Sequence, residues 1–106
     1  MSAWEEETRG NLKADADRCI TAVRLQLLRL MEALENIDER QAIIRTTLKE
    51  STSDLVPATE LVHQVKAMLD QTYRLKTTAT LIHENAGKLD NALTQLEALE
   101  KEAENE

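Results

Sequence analysis

Apolar residues recur at alternating intervals of four and three along the second half of the chain. The series is Leu61, Val65, Met68, Thr72, Leu75, Ala79, Ile82, Ala86, Leu89, Leu93, Leu96, Glu100 and Ala103. This is the spacing of the a and d positions in a heptad repeat, which lay one face of an α-helix along another helix. It predicts a long helix B over about residues 57–104. Because Thr77, Thr78 and Thr80 are poor helix formers, a break near Thr77 that starts a third helix remains an alternative.

Apolar residues in the first half of the chain have the same alternating spacing of four and three. Its series is Ala16, Ile20, Val23, Leu27, Leu30, Leu34, Ile37, Gln41, Ile44 and Leu48. It predicts helix A over about residues 3–50, with Ser2 as N-cap and Glu5 completing a capping box. Since Gly10 disfavours the first turns, a later start with Asn11 as N-cap is an alternative.

A single cluster of turn residues separates the two series. Ser51, Thr52 and Ser53 end the first pattern, and we expect Asp54 to cap a helix that contains Pro57 in its first turn. The turn therefore covers about residues 51–56. A chain that reverses there forms one antiparallel helical-hairpin domain over residues 1–106, and phosphorylation of the exposed hydroxyls remains open.

Folding helix A against helix B predicts a seam of interdigitated aliphatic side chains. The seam residues are Ile20, Val23, Leu27, Leu30, Leu34, Ile37, Ile44, Leu48, Leu61, Val65, Met68, Leu75, Ala79, Ile82, Ala86, Leu89, Leu93 and Leu96. Gln41 and Thr72 interrupt this seam. A polar residue at such a position either fixes register and partner number or reaches solvent at the edge of the seam.

A two-helix hairpin buries little, so we expect partner helices to complete it as a bundle. Apolar residues outside the seam predict the partner-binding face: Leu25, Leu28, Val62, Leu69, Tyr73 and Leu81. Leu25 and Leu28 fall on the back of helix A, and Tyr73 and Leu81 on the back of helix B. The alternative is that these are scattered surface residues of the ordinary kind.

Composition agrees with an all-α, coiled-coil fold. Phe is absent and Trp4 and Tyr73 are the only aromatic residues, which favours a thin aliphatic seam over a globular core. The net charge of −7 comes without a basic stripe, so nucleic acid is not an expected partner. No apolar run approaches the ~20 residues of a membrane span, so no membrane insertion is expected. Residues 1–7 lack a signal-peptide pattern and Cys19 has no second cysteine to pair with, which favours the cytoplasm.

Residues with catalytic or metal-binding chemistry are few and dispersed. His63 and His83 are twenty residues apart on one helix, whereas a zinc site needs three or four convergent ligands. Cys19 has no histidine on its own helix face, and Gly10 and Gly87 are too isolated to form a phosphate-binding loop. The sequence therefore predicts no catalytic, cofactor or metal site, and a protein that is not an enzyme.

The second half of the chain resembles a known family in style. The resemblance rests on Leu55-Val56-Pro57, on the spacing of Val62, Val65 and Leu69, on Tyr73-Arg74-Leu75 and on the run KLDNALTQLE at 88–97. These segments are similar to the small helical subunits of the biogenesis of lysosome-related organelles complex and of its lysosome-positioning relative. The resemblance covers about half of the chain and implies two helices around a short Pro-containing break, assembled side by side with other subunits. Subunits of microtubule-binding kinetochore complexes look similar.

Pattern and resemblance together predict a non-enzymatic scaffold or adaptor subunit of a cytosolic assembly. The expected partners are other helical subunits, in a hetero-oligomer, and the expected process is endosome or lysosome trafficking or positioning. Such partners would hold the chain at the surfaces of organelles as a peripheral protein, without insertion into the membrane. A homodimeric four-helix bundle is the main alternative, and a membrane-surface helix is disfavoured because no Lys-rich face exists.

Overall fold

The computed structural model describes residues 2–52 and 56–105, nearly all of them in two long α-helices. Helix α1 spans Ala3–Glu50 and α2 spans Ala58–Glu104, and no strand occurs in those ranges. The predicted all-α fold with two long helices is therefore confirmed. Helix α2 passes through Thr77 without a break, and the Thr77 hydroxyl donates a hydrogen bond to the carbonyl of Tyr73 at 3.1 Å. The alternative of a third helix is wrong.

The capping residue expected at the start of the chain sets the beginning of α1. The backbone N–H of Glu5 donates to the hydroxyl oxygen of Ser2 at 3.2 Å, which satisfies one of the helix's free amide groups. Such a cap contributes about 1 kcal/mol. This explains why α1 begins at Ala3 and not after the alternative cap, Asn11, and why Gly10 lies inside the helix.

Helix α2 begins at Ala58, so Pro57 lies just before the helix and not in its first turn as the sequence predicts. The carbonyl of Pro57 accepts a hydrogen bond from the backbone N–H of Leu61 at 3.1 Å, so Pro57 lies at the helix entrance and Ala58 is the first helical residue. A proline at this point loses nothing, because its missing N–H would have no helical acceptor. The predicted cap, Asp54, lies outside the described residues.

Contacts between the helices group into two compact units within the predicted domain. Unit 1 comprises Met1–Leu27 and Thr80–Glu106, and unit 2 comprises Leu28–Ala79. In unit 1, Leu12 and Ala16 of α1 form a small cluster with Ala92 of α2, covered by Leu89 and Leu96. In unit 2, Arg40 of α1 bonds to Gln64 of α2. In each unit the two helix segments run antiparallel.

Burial is sparse in both units. Among the described residues the only buried ones are Leu12, Ala16, Ala33 and Ala92, and none is less than 2% exposed. Three of the four are alanines, whose small side chains let two helices approach closely. The interior is therefore a narrow strip of contact between two helices.

Candidate helix-docking face

The residues that lie between the two helices keep the heptad spacing. On α1 the covered side chains centre on Leu12, Ala16, Cys19, Val23, Gln26, Leu30, Ala33, Ile37, Arg40, Ile44 and Thr47. On α2 they centre on Leu61, Gln64, Met68, Gln71, Leu75, Thr78, Ile82, Asn85, Leu89, Ala92, Leu96 and Leu99. We call these residues the inner rows. They alternate by three and four, as two packed helices require.

About every second residue of the predicted seam belongs to the inner rows. Ten predicted seam residues are partly buried: Val23, Leu30, Ile37, Ile44, Leu61, Met68, Leu75, Ile82, Leu89 and Leu96. The other eight are exposed: Ile20, Leu27, Leu34, Leu48, Val65, Ala79, Ala86 and Leu93. We call these eight the flanking rows. Each flanking residue directly follows an inner one, so the contact on both helices is rotated by about 50° from the expected seam.

The rotation has a physical reason in the width of the apolar stripe. Two helices in contact cover two positions per heptad, whereas apolar residues here occupy much of a third position as well. The small inner residues Cys19, Ala33 and Ala92 permit close approach, and the bulkier residue that follows each of them stays outside. Apart from the two alanines, the flanking residues are 44–54% exposed.

Flanking residues of both helices border one groove in unit 2. This groove of about 390 Å³ is lined by Gln41, Ile44, Arg45, Leu48, Val65 and Met68. Leu48 of α1 and Val65 of α2 belong to the flanking rows, while Ile44 and Met68 form its floor as inner residues. The exposed aliphatic rows of unit 2 therefore lie on the same side of the helix pair. We call this side the docking face; its flanking residues are Leu34, Leu48, Val65 and Ala79.

A polar network crosses between the helices of unit 2, where the sequence predicts an aliphatic seam. The Nη1 of Arg40 donates to Oε1 of Gln64 at 2.9 Å, and its Nε donates to Oδ1 of Asn36 at 2.7 Å. The Nε2 of Gln64 in turn donates to Oε1 of Glu60 at 3.0 Å. Four residues from two helices are thus joined, and we expect the Arg40–Gln64 bond to fix the position of one helix along the other.

A second polar pair joins the helices of unit 1. The Nδ2 of Asn85 donates to Oε1 of Gln26 at 3.2 Å and to the carbonyl of Leu81 at 3.0 Å. The predicted interruptions, Gln41 and Thr72, are exposed, and the Thr72 hydroxyl donates to a carbonyl of its own helix. Sequence reasoning missed the true polar positions because it assigned the inner side to the residue that follows each of them.

The six residues predicted as a partner-binding face are all exposed, by 39–73%. On α2, Val62, Leu69 and Tyr73 share one face, because seven and eleven residues are close to whole numbers of helical turns, and Leu69 lies one turn from Val65 of the docking face. Leu28 lies on the outer side of α1, opposite its inner row. Leu25 and Leu81 belong to unit 1.

Charge and burial differ between the units. Unit 1 carries six bases and twelve acids, whereas unit 2 carries seven bases and eight acids. Among the described residues, unit 2 contains ten of the sixteen exposed large hydrophobic side chains and only one of the four buried residues, Ala33. Unit 2 is therefore nearly neutral and poorly covered.

Two ion pairs join exposed side chains within the described helices. Arg18 pairs with Asp15, and Lys101 pairs with Glu97 at 2.8 Å. The hydrogen bond from Lys101 lowers the pKa of Glu97, and the same bond raises the pKa of Lys101. Within residues 2–52 and 56–105, no group of three or more His, Cys, Asp or Glu side chains is placed to bind a metal ion. Neither described helix has a stretch apolar and long enough to cross a bilayer.

Comparison with protein-family models, curated proteins and solved structures found no match to this chain.

Proposed function

We propose that this chain is a non-enzymatic structural subunit that packs its flanking rows against helices of other chains. The observation that carries the proposal is the third row of aliphatic side chains left half-exposed on both helices. A stripe three positions wide is typical of helices with more than one helical neighbour. The groove between Leu48 and Val65 offers such a neighbour a place to insert side chains.

The amount of exposed surface supports the same function. The chain exposes 8188 Å². A folded monomer of its mass, 12.0 kDa, exposes roughly 6,000 Å². The difference of roughly 2,000 Å² is more than twice the ~800 Å² that one partner contributes to a standard protein interface. Association with further helices is the ordinary way to remove such an excess from water.

The resemblance of the second half supports a finer proposal. Helical subunits of another sequence would then be among the partners, in a cytoplasmic assembly that works at endosomes or lysosomes and reaches their surfaces through those partners. The unpaired Cys19 fits a reducing compartment. The assignment to a process rests on sequence style in residues 55–97 alone.

Site-specific photo-crosslinking in the cells that make the protein tests the proposed function. A photoreactive side chain at Leu34 or Leu48 is expected to form covalent adducts with a helical protein, because both positions lie in the flanking row. Matched probes at Glu35 and Lys49, the next residues along α1, point about 100° away and are expected to form none. Equal or absent crosslinking at all four positions would count against the proposal.

A further inference from the structure

Two residues of opposite charge lie along one edge of the docking face of unit 2. Arg45 lines the groove, and Asp38 lies seven residues earlier, on the same face of α1. Neither makes an ion pair in the described part of the chain. On α2, the apolar residues Val62 and Leu69 are also seven residues apart and extend the face beside Val65.

The charges along this edge are complementary to those of a second copy of the same edge that runs in the opposite direction. If a second copy of α1 lies antiparallel on the first with its centre near Gln41, Asp38 of each copy meets Arg45 of the other. Two-fold symmetry makes both contacts at once, as an isologous interface requires. The same rotation brings the apolar pair of α2 against its counterpart.

We propose that the docking face of unit 2 binds a second copy of this chain, antiparallel, to form a four-helix bundle. This inference rests on the proposed function and names the occupant of the face. The near neutrality of unit 2 allows two copies to meet there without the repulsion that two copies of unit 1, each with twelve acids against six bases, would experience. The bundle covers Leu34, Leu48 and Val65.

Charge reversal on the purified chain tests the antiparallel arrangement. In Asp38→Arg two bases meet at each symmetric contact, and in Arg45→Asp two acids meet there. Each variant alone is expected to weaken dimerisation about tenfold in sedimentation equilibrium, because two exposed contacts change from attraction to repulsion. An equal mixture of the two variants restores opposite charges at both contacts and is expected to associate as tightly as the unsubstituted chain.

Controls separate this effect from net charge. Glu35→Arg and Lys49→Asp make the same charge changes on the outer side of α1 and are expected to leave the dissociation constant unchanged. Circular dichroism verifies that every variant keeps its helicity. High salt is expected to reduce the difference between the reversed variants and the unsubstituted chain, since the contacts are exposed.

Two results would overturn the inference. One is an unsubstituted chain that stays monomeric at about 100 µM, well above the dissociation constant of a specific complex. The other is a mixture of the two charge-reversed variants that associates no better than either alone. In both cases, crosslinks from Leu34 and Leu48 to a different protein would still support the proposed function. The absence of any crosslink there would overturn the proposed function itself.

Discussion

The polar contact between Arg40 and Gln64 is expected to stabilise the pairing of α1 with α2. Its 2.9 Å length and partial burial indicate a real, charge-assisted hydrogen bond. Hydrogen bonds to charged groups contribute about 1.5–3 kcal/mol when fully buried, so a half-buried one is expected to contribute about 1 kcal/mol. Gln64→Met and Arg40→Met each remove one partner while keeping a similar length of side chain.

A double-mutant cycle isolates this contribution. Each single substitution is expected to lower the free energy of unfolding by about 1 kcal/mol or slightly more, because Arg40 also bonds to Asn36 and Gln64 to Glu60. The double variant is expected to lose about 1 kcal/mol less than the sum of the singles. Urea unfolding followed by circular dichroism at one protein concentration measures all four chains.

The adjacent exposed residue provides the control for this cycle. Gln41→Met makes the same kind of substitution one position later and, at a concentration at which the chain is monomeric, is expected to alter the free energy of unfolding by less than about 0.5 kcal/mol. A coupling energy within about 0.3 kcal/mol of zero would refute the argument that this pair fixes the level of the two helices. A large effect of Gln41→Met on a monomer would refute the assignment of the inner rows.

Three further predictions concern single residues. Gly87→Ala is expected to raise the free energy of unfolding by about 1 kcal/mol, because Gly87 lies within α2 and an added Cβ would meet no atom within 4 Å beyond the adjoining backbone of its own helix; urea unfolding that shows a loss would contradict this. Leu12→Ala is expected to cost about 2 kcal/mol, since Leu12 is 9% exposed, whereas Leu28→Ala at 58% exposure is expected to cost under about 0.5 kcal/mol in the monomer; thermal melts of equal size would contradict the difference. Lys101→Met is expected to raise the pKa of Glu97 toward its ordinary value in an NMR titration. Because that pKa is lowered in the folded state, the ion pair's contribution is present above the unfolded pKa and is lost as pH falls through the folded one, and an unchanged titration would exclude the pair.

The two helices could be predicted because their signals are local. Ser2 caps α1 by a bond to a residue three positions away, and Pro57 marks the entrance of α2 by its own backbone geometry. The heptad spacing needs no knowledge of the partner helix. These features depend on neighbours in sequence, so the bounds of the helices follow from reading the chain.

The side on which the helices meet could not be predicted in the same way. The sequence predicts that the row with Leu27 and Leu34 faces the other helix, since large aliphatic residues are the usual seam residues. In the structure, the row with Gln26 and Ala33 faces the other helix of the chain, because Ala33 is small enough to allow close approach and Gln26 accepts a hydrogen bond from Asn85. The choice between adjacent rows depends on the number of neighbouring helices, which a single sequence does not specify.

The width of the apolar stripe, three positions per heptad, links the rotated contact between α1 and α2 to the proposed assembly with further helices. Leu30 and Ile37 stand at its centre, with inner residues on one side and flanking residues such as Leu34 on the other. When only two helices pack together, the centre of each apolar stripe does not point directly at the axis of the other helix. The inner row is then covered and the flanking row faces water. In a bundle of four, the same central residues would point at the common axis, and the inner and flanking rows would each meet a different neighbour. In the proposed bundle, the rows expected in the seam and those found there would therefore belong to one core, of which the single chain closes only one side.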